Sequence, residues 1–162
     1  MKNINDLKKG AEIKGKICGF GKDIIFFDIG DYPLPCAAYL DETGLCWYDD
    51  DRTKLPDMFS AEAEYALTVD YVSFNHIWVF MKETPWAGYE KEHPTGSIVT
   101  GKICLVNEII ILVKLADFIY ARLCPCLEGL NTDDYPPGAC LPFRIEQYAE
   151  RRIIIKPLRH EQ

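Results

Sequence analysis

The side chains best equipped for chemistry crowd into one stretch, Asp41-Glu42-Thr43-Gly44-Leu45-Cys46-Trp47-Tyr48-Asp49-Asp50-Asp51. Five acids there flank two large aromatic rings. That combination suits a docking loop: Trp47 and Tyr48 would anchor in a pocket, and Asp49, Asp50 and Asp51 would steer the loop toward a basic partner. The plainer alternative is a loop whose Trp packs on its own domain and whose acids are solvated. The acids lack the Asp-x-Asp-x-Asp-Gly spacing of a calcium loop. The seven cysteines contain no Cys-x-x-Cys, and Cys124-Pro125-Cys126 is their one close pair. His76, His93 and His160 are scattered. A structural zinc site usually draws on two close pairs, or one pair with close histidines. The thiols therefore read as small apolar residues, with no metal and no cofactor expected. No Gly-x-x-x-x-Gly-Lys-Ser/Thr, Gly-x-Ser-x-Gly or His-Glu-x-x-His occurs, so the expectation is a non-catalytic protein.

The elements that must position these residues belong to a chain of 162 residues, enough for one large domain or two small ones. It is 48% apolar and 27% charged, which excludes collagen-like, coiled-coil and fully disordered chains. No apolar run approaches the ~18 residues of a membrane-spanning helix. Met1-Lys2-Asn3-Ile4-Asn5-Asp6 meets charge at once, unlike a signal peptide. An odd cysteine count without close spacing reads as reduced thiols, and both features point to the cytoplasm. The net charge of −7 disfavours non-specific binding of nucleic acid, because phosphate contacts depend on Lys and Arg.

The chain repeats itself. Lys9-Gly10-Ala11-Glu12-Ile13-Lys14-Gly15-Lys16-Ile17-Cys18 lies over Thr95-Gly96-Ser97-Ile98-Val99-Thr100-Gly101-Lys102-Ile103-Cys104, with five of ten positions identical at a separation of 86. Ile24 to Ile29 lies over Ile110 to Leu115 at the same separation of 86. Ala38-Tyr39-Leu40 matches Ala121-Arg122-Leu123 at 83, and Leu67 to Val79 matches Phe143 to Ile155 at 76. The lost residues fall near Pro33-Leu34-Pro35 and within Asp41 to Met58, both loop-like in composition. Length change in loops with strands in register is what two copies of one fold produce.

Each copy reads as β. Ile13, Gly15 and Ile17 alternate with Lys14, Lys16 and Cys18, the period-2 pattern of a half-buried strand. Asp23 to Ile29, Cys36 to Leu40, Tyr65 to Val72 and Asn75 to Met81 follow as strands, with one or two helical turns expected within Leu45 to Thr53. The all-apolar runs Ile109 to Val113 and Ile153 to Ile155 suit strands buried on both faces. Five strands in ~75 residues suit a small closed barrel. Pro85, Gly88 and Pro94 mark a linker, so the domains are 1–86 and 95–162 around a linker at 87–94.

This pattern resembles the S-one domain, the RNA-binding OB-fold repeat of the ribosomal small-subunit protein of that name. Val99-Thr100-Gly101-Lys102-Ile103 is similar to its opening Gly-x-Val-x-Gly-x-Val, and Phe26-Phe27-Asp28-Ile29 to the end of its second strand. Cys36 to Asp41 lies over its third strand. Leu67 to Tyr71 and His76 to Val79 lie over its last two. The resemblance implies an all-β protein of two tandem five-stranded OB-like barrels. In that family nucleic acid stacks on two second-strand aromatics and a third-strand His. Those places fall on Asp23, Phe26 and Tyr39 in the first copy, and on Ile109, Leu112 and Arg122 in the second.

Two expectations follow. The first is a binder of single-stranded RNA or DNA, in which Phe26 and Tyr39 stack bases while Lys14, Lys16, Lys102, Arg122, Arg151 and Arg152 neutralise phosphates. The second is an acidic module or adaptor on the same scaffold, docking a basic protein through Asp41 to Asp51. Residues 1–89 carry 9 basic and 15 acidic side chains, and 90–162 carry 9 and 10. The first copy thus keeps aromatics and the second keeps the arginines.

Overall fold

The computed structural model describes residues 2–40, 43, 45, 48, 50–60, 62–149 and 151–158. Ten strands form two closed barrels of five. The first contains β1 (Glu12–Phe20), β2 (Ile24–Asp28), β3 (Cys36–Tyr39), β4 (Tyr65–Val72) and β5 (Ile77–Met81). The second contains β6 (Ile98–Val106), β7 (Ile111–Ala116), β8 (Ile119–Leu123), β9 (Cys140–Ala149) and β10 (Arg152–Pro157). Neighbour order is β1-β2-β3-β5-β4 in the first and, read from β6, β6-β7-β8-β10-β9 in the second. Only the third and fifth strands of each barrel run parallel; every other pairing is antiparallel. This shared order is that of an OB-like barrel.

The duplication extends to irregularities of the ladders. The β1–β2 register slips between Ile17 and Gly19, and the β6–β7 register between Ile103 and Leu105, so Cys18 and Cys104 are the extra residues. The β4–β5 slip falls at Asp70, and the β9–β10 slip at Glu146. Bulges bend and twist a strand, which small barrels need at their corners. The third strand corrects the sequence alignment. Cys36 pairs with Phe27 and Ile77, while Ala121 pairs with Val113 and Ile153. Cys36, Ala37 and Ala38 therefore correspond to Ala121, Arg122 and Leu123. The equivalent of Tyr39 is Cys124, and Arg122 takes the place of Ala37.

The two interiors fill in complementary ways. Phe27 on β2 faces the same interior as Leu67 on β4, and Val113 with Phe143 takes those places in the second barrel. The large ring has moved from the second strand to the fourth with little change in total volume, the kind of exchange cores tolerate. Gly15 and Gly101 hold the matching first-strand position. A Cβ on Gly101 would lie 2.3 Å from Val113 Cγ1 and 3.0 Å from Phe143, and one on Gly15 would lie 2.9 Å from Ile29 Cγ2. Neither barrel has room there for a side chain.

By contacts the chain divides into two units. One comprises Met1–Gly44 with Thr53–Pro85, the other Leu45–Arg52 with Trp86–Gln162. The segment 45–52, although it connects β3 to β4, thus belongs with the second unit. Of the range Leu45 to Thr53, expected to hold helical turns, Arg52 and Thr53 open a 3-10 element at Arg52–Met58 with Pro56 inside, while Cys46, Trp47 and Asp49 lie outside the described residues. The stretch after β5 carries a short helix, α1 (Ala87–Glu92). A second, α2 (Pro125–Glu128), follows β8 and closes on Gly129 at φ 67. Ile153 and Ile155 are buried, but Ile109 is 76% exposed at the β6–β7 turn, so that apolar run is not covered throughout. Among the described residues no helix is long and apolar enough to cross a membrane.

Gly101→Ala is expected to cost about 1–3 kcal/mol of stability, as overpacking does. Gly15→Ala costs less, because its closest approach, 2.9 Å to Ile29 Cγ2, is a milder overlap than the 2.3 Å at Gly101. Urea unfolding followed by circular dichroism checks both the loss and its order.

Candidate nucleic-acid interface

Strand alternation sends Ile25 and Phe27 of β2 inward and Phe26 outward. On β3 it sends Cys36 and Ala38 inward, and Ala37 and Tyr39 outward; on β5, Ile77 and Val79 point in and Trp78 out. The parallel pairing sets Trp78 beside Ala37, and the antiparallel one sets Phe26 on its other side. Tyr71 on β4 is the register partner of Trp78. His76, just before β5, joins the same wall.

The rings make one cluster. Tyr39 and Trp78 stack with centroids 4.5 Å apart and planes 7° from parallel. Tyr71 stacks near the same indole, at 6.1 Å and 25°. His76 lies 5.2 Å from Trp78 and 6.2 Å from Phe26. Ala37 leaves the hollow in which these larger rings meet. Tyr39 is 43% and Tyr71 47% exposed, so the column offers ring surface to solvent. The turn at 73–76 brings Phe74 beyond them at 94% exposure. It is closed by the Ser73 hydroxyl, which accepts from the His76 backbone N–H at 3.0 Å. The buried Nδ1 of His76 has no hydrogen-bond partner.

Of the sequence-derived candidates, Phe26 and Tyr39 fall on this wall. Asp23 sits in the turn before β2 and is not one of its rings. Lys14 and Lys16 point outward from β1, with Lys16 opposite Asp28. Sequence reasoning missed Tyr71, His76, Trp78 and Phe74. The parity of β5 carried the signal, since inward Ile77, Val79 and Met81 leave Trp78 outward. The second barrel has Leu112, Arg122, Cys124, Gln147, Arg152 and Ile154 at the places of Phe26, Ala37, Tyr39, Tyr71, His76 and Trp78. None of the six is an aromatic ring. Lys102 is exposed on β6, directly opposite Lys114 of β7. Arg151 occupies the β9–β10 turn at φ 60.

The acidic loop is only partly a surface feature. Tyr48 and Asp51 are exposed, but the Asp50 side chain is 2% exposed. Asp50 Oδ1 lies 2.6 Å from Lys114 Nζ and accepts from the Phe118 backbone N–H at 3.4 Å. Its Oδ2 accepts from the Tyr120 hydroxyl at 2.5 Å. Asp50 is therefore engaged inside its own unit, which corrects its reading as a residue facing a partner. Trp47 and Asp49 lie outside the described residues.

Comparison by sequence finds no matching family and no curated relative. Solved structures do match. One is the crystal structure of a multidomain protein with nucleic acid binding domains from Streptococcus pneumoniae. It is 14% identical, with 96% of this chain aligned at a TM-score of 0.32. This chain spans 56% of that one's length. The class that the coordinates themselves define is a tandem of OB-like barrels.

Beneath the wall, the Cys36 thiol is pushed up to about 12 by burial, with the nearby Cys18 adding to the shift. A thiol raised in the folded state stabilises the fold fully below its ordinary value of 9.0, and that contribution is lost as pH rises toward about 12. Stability should accordingly begin to fall near pH 9. Cys36→Ala should shrink that early part of the decline, leaving what Cys18, also raised from 9.0 by burial, contributes and the part due to Tyr89 and Tyr148, whose ordinary value is 10.0. Urea midpoints measured across this pH range test it.

Proposed function

We propose that this protein binds single-stranded RNA without catalysing a reaction on it, and that the outer wall of the first barrel is its stacking platform. The ring cluster of Phe26, Tyr39, Tyr71, His76 and Trp78 carries this reading. A hydrophobic core has no use for two tyrosines held flat and more than two-fifths exposed on an outer wall. Bases do, because each presents a π-face to an aromatic ring. The location agrees with the physics of the fold, since OB barrels take oligonucleotides across the second and third strands and the flanking turns. Here those turns carry Lys22 and Phe74. The resemblance to the S-one domain supports RNA in particular.

Phosphate contacts fall to Lys14 and Lys16 on the first barrel and to Lys102, Arg122, Arg151 and Arg152 on the second. The acidic balance of the chain makes stacking the larger part of the affinity. The second reading, a loop that docks a basic protein through Tyr48 and its acids, has less support, because Asp50 is spent within the chain.

Fluorescence anisotropy with labelled oligouridylate at ~50 mM salt should detect binding, where phosphate contacts are still strong. Tyr39→Ala, Tyr71→Ala and Phe26→Ala should each weaken it by about 1–3 kcal/mol, the worth of one base–ring stack. Absence of binding to the wild-type protein refutes the reading. Affinity unchanged in all three variants refutes the wall.

A further inference from the structure

Asp50 is a buried acid that the stacking wall does not use, and its surroundings differ from the first barrel in one telling respect. Lys114 on β7 stands where Asp28 stands on β2, 86 residues earlier. In the first barrel Lys16 faces Asp28 across the β1–β2 ladder. In the second, Lys102 faces Lys114 across β6–β7, and like charges directly opposite are destabilising. Two carboxylates flank the Lys114 ammonium: the exposed Asp117, three residues along the chain, at 3.4 Å, and the buried Asp50 at 2.6 Å.

Three donors converge on that carboxylate: Lys114 Nζ, the Tyr120 hydroxyl and the Phe118 backbone N–H, the last held in a turn at φ 63. An ammonium, a hydroxyl and a backbone N–H around one anion would serve a phosphate oxygen equally well. Arg122 projects from the same face of β8, two residues beyond Tyr120. Leu112 and Tyr120 point outward from their strands, yet each is only 6% exposed, so this wall is covered. The equivalent Phe26 in the first barrel is half-buried.

We infer that the β7–β8 wall of the second barrel is a phosphate-recognition site, which the chain fills with its own Asp50 carboxylate. The inference rests on the reading of the protein as a nucleic-acid binder and adds a second, competed site to it. The Asp50 carboxylate is an internal stand-in for ligand. While Asp50 is bound, Lys114 and Tyr120 make no contact with a phosphate. When it leaves, the backbone of a bound strand can take its place.

The test compares the full-length wild-type protein with Asp50→Asn, titrated with labelled oligouridylate over a range of salt. Asp50→Asn should bind severalfold tighter, and its plot of log K against log salt should steepen by about 0.7, the increment for one more single-strand phosphate. Adding Lys114→Met to Asp50→Asn should cancel both changes. Asp133→Asn, an equal loss of charge at an exposed site, should reproduce neither. Wild-type affinity and slope in folded Asp50→Asn overturns the proposal, as does a gain that survives Lys114→Met. The wild-type protein gives an independent readout. Its Phe118 amide resonance should keep shifting as oligouridylate passes the concentration that saturates the first barrel, and a fixed resonance overturns the proposal. Binding that depends on Tyr39 but ignores Asp50 refutes this site alone, whereas a wild-type protein that binds nothing refutes the stacking wall as well.

Discussion

Five strands in this order can close on themselves only if the third lies parallel to the fifth, and that pairing is what everything else depends on. It is short, two register pairs in the first barrel and one in the second. It removes the exposed edges that a five-stranded sheet would otherwise offer to aggregation. It also decides what the outer surface can be. By setting Trp78 beside Ala37, it brings rings from β2, β3, β4 and β5 onto one wall, although 52 residues separate Phe26 from Trp78. The small side chain at position 37 belongs to this wall rather than to closure, since the indole is paired with it here and Arg122 holds the place in the second barrel.

The two copies kept the constraint and diverged where it does not reach. Interior positions changed in compensating pairs, as with Phe27 and Leu67 against Val113 and Phe143. The strand bulges and the first-strand glycine stayed put, because closure and close approach leave no alternative. The outer walls were free to change character. One gathered rings; the other gained arginines, reversed a charge at Lys114 and came to hold an acid from elsewhere in the chain.

Much of the architecture was legible in the residues. Period-2 alternation exposed the strands, and the matching of Lys9 to Cys18 with Thr95 to Cys104 exposed the duplication. Both are local signals. The third strand was misaligned by two positions because the short identity of Ala38-Tyr39-Leu40 with Ala121-Arg122-Leu123 falls outside the register of the ladders. Only the pairing of Cys36 with Ile77, and of Ala121 with Ile153, settles the alignment. Two of the five clustered rings were visible for the same reason. Phe26 and Tyr39 lie on the strands that the resemblance pointed to, whereas Trp78 and Tyr71 arrive through pairings that no short window contains. Asp50 was legible as an acid and invisible as a buried one, since its partners lie more than 60 residues away.

The chain passes from one unit to the other three times, at 44/45, 52/53 and 85/86, rather than once. A protease nick or a gene split between Pro85 and Trp86 would therefore not yield two self-sufficient halves. The C-terminal half would retain Lys102 facing Lys114 and keep Asp117, but would lose the buried Asp50 carboxylate. The N-terminal half would carry away an acid whose partners had been left behind. What began as a tandem of equals has become a dependent pair, in which the later copy borrows a counter-ion from an insertion in the earlier one.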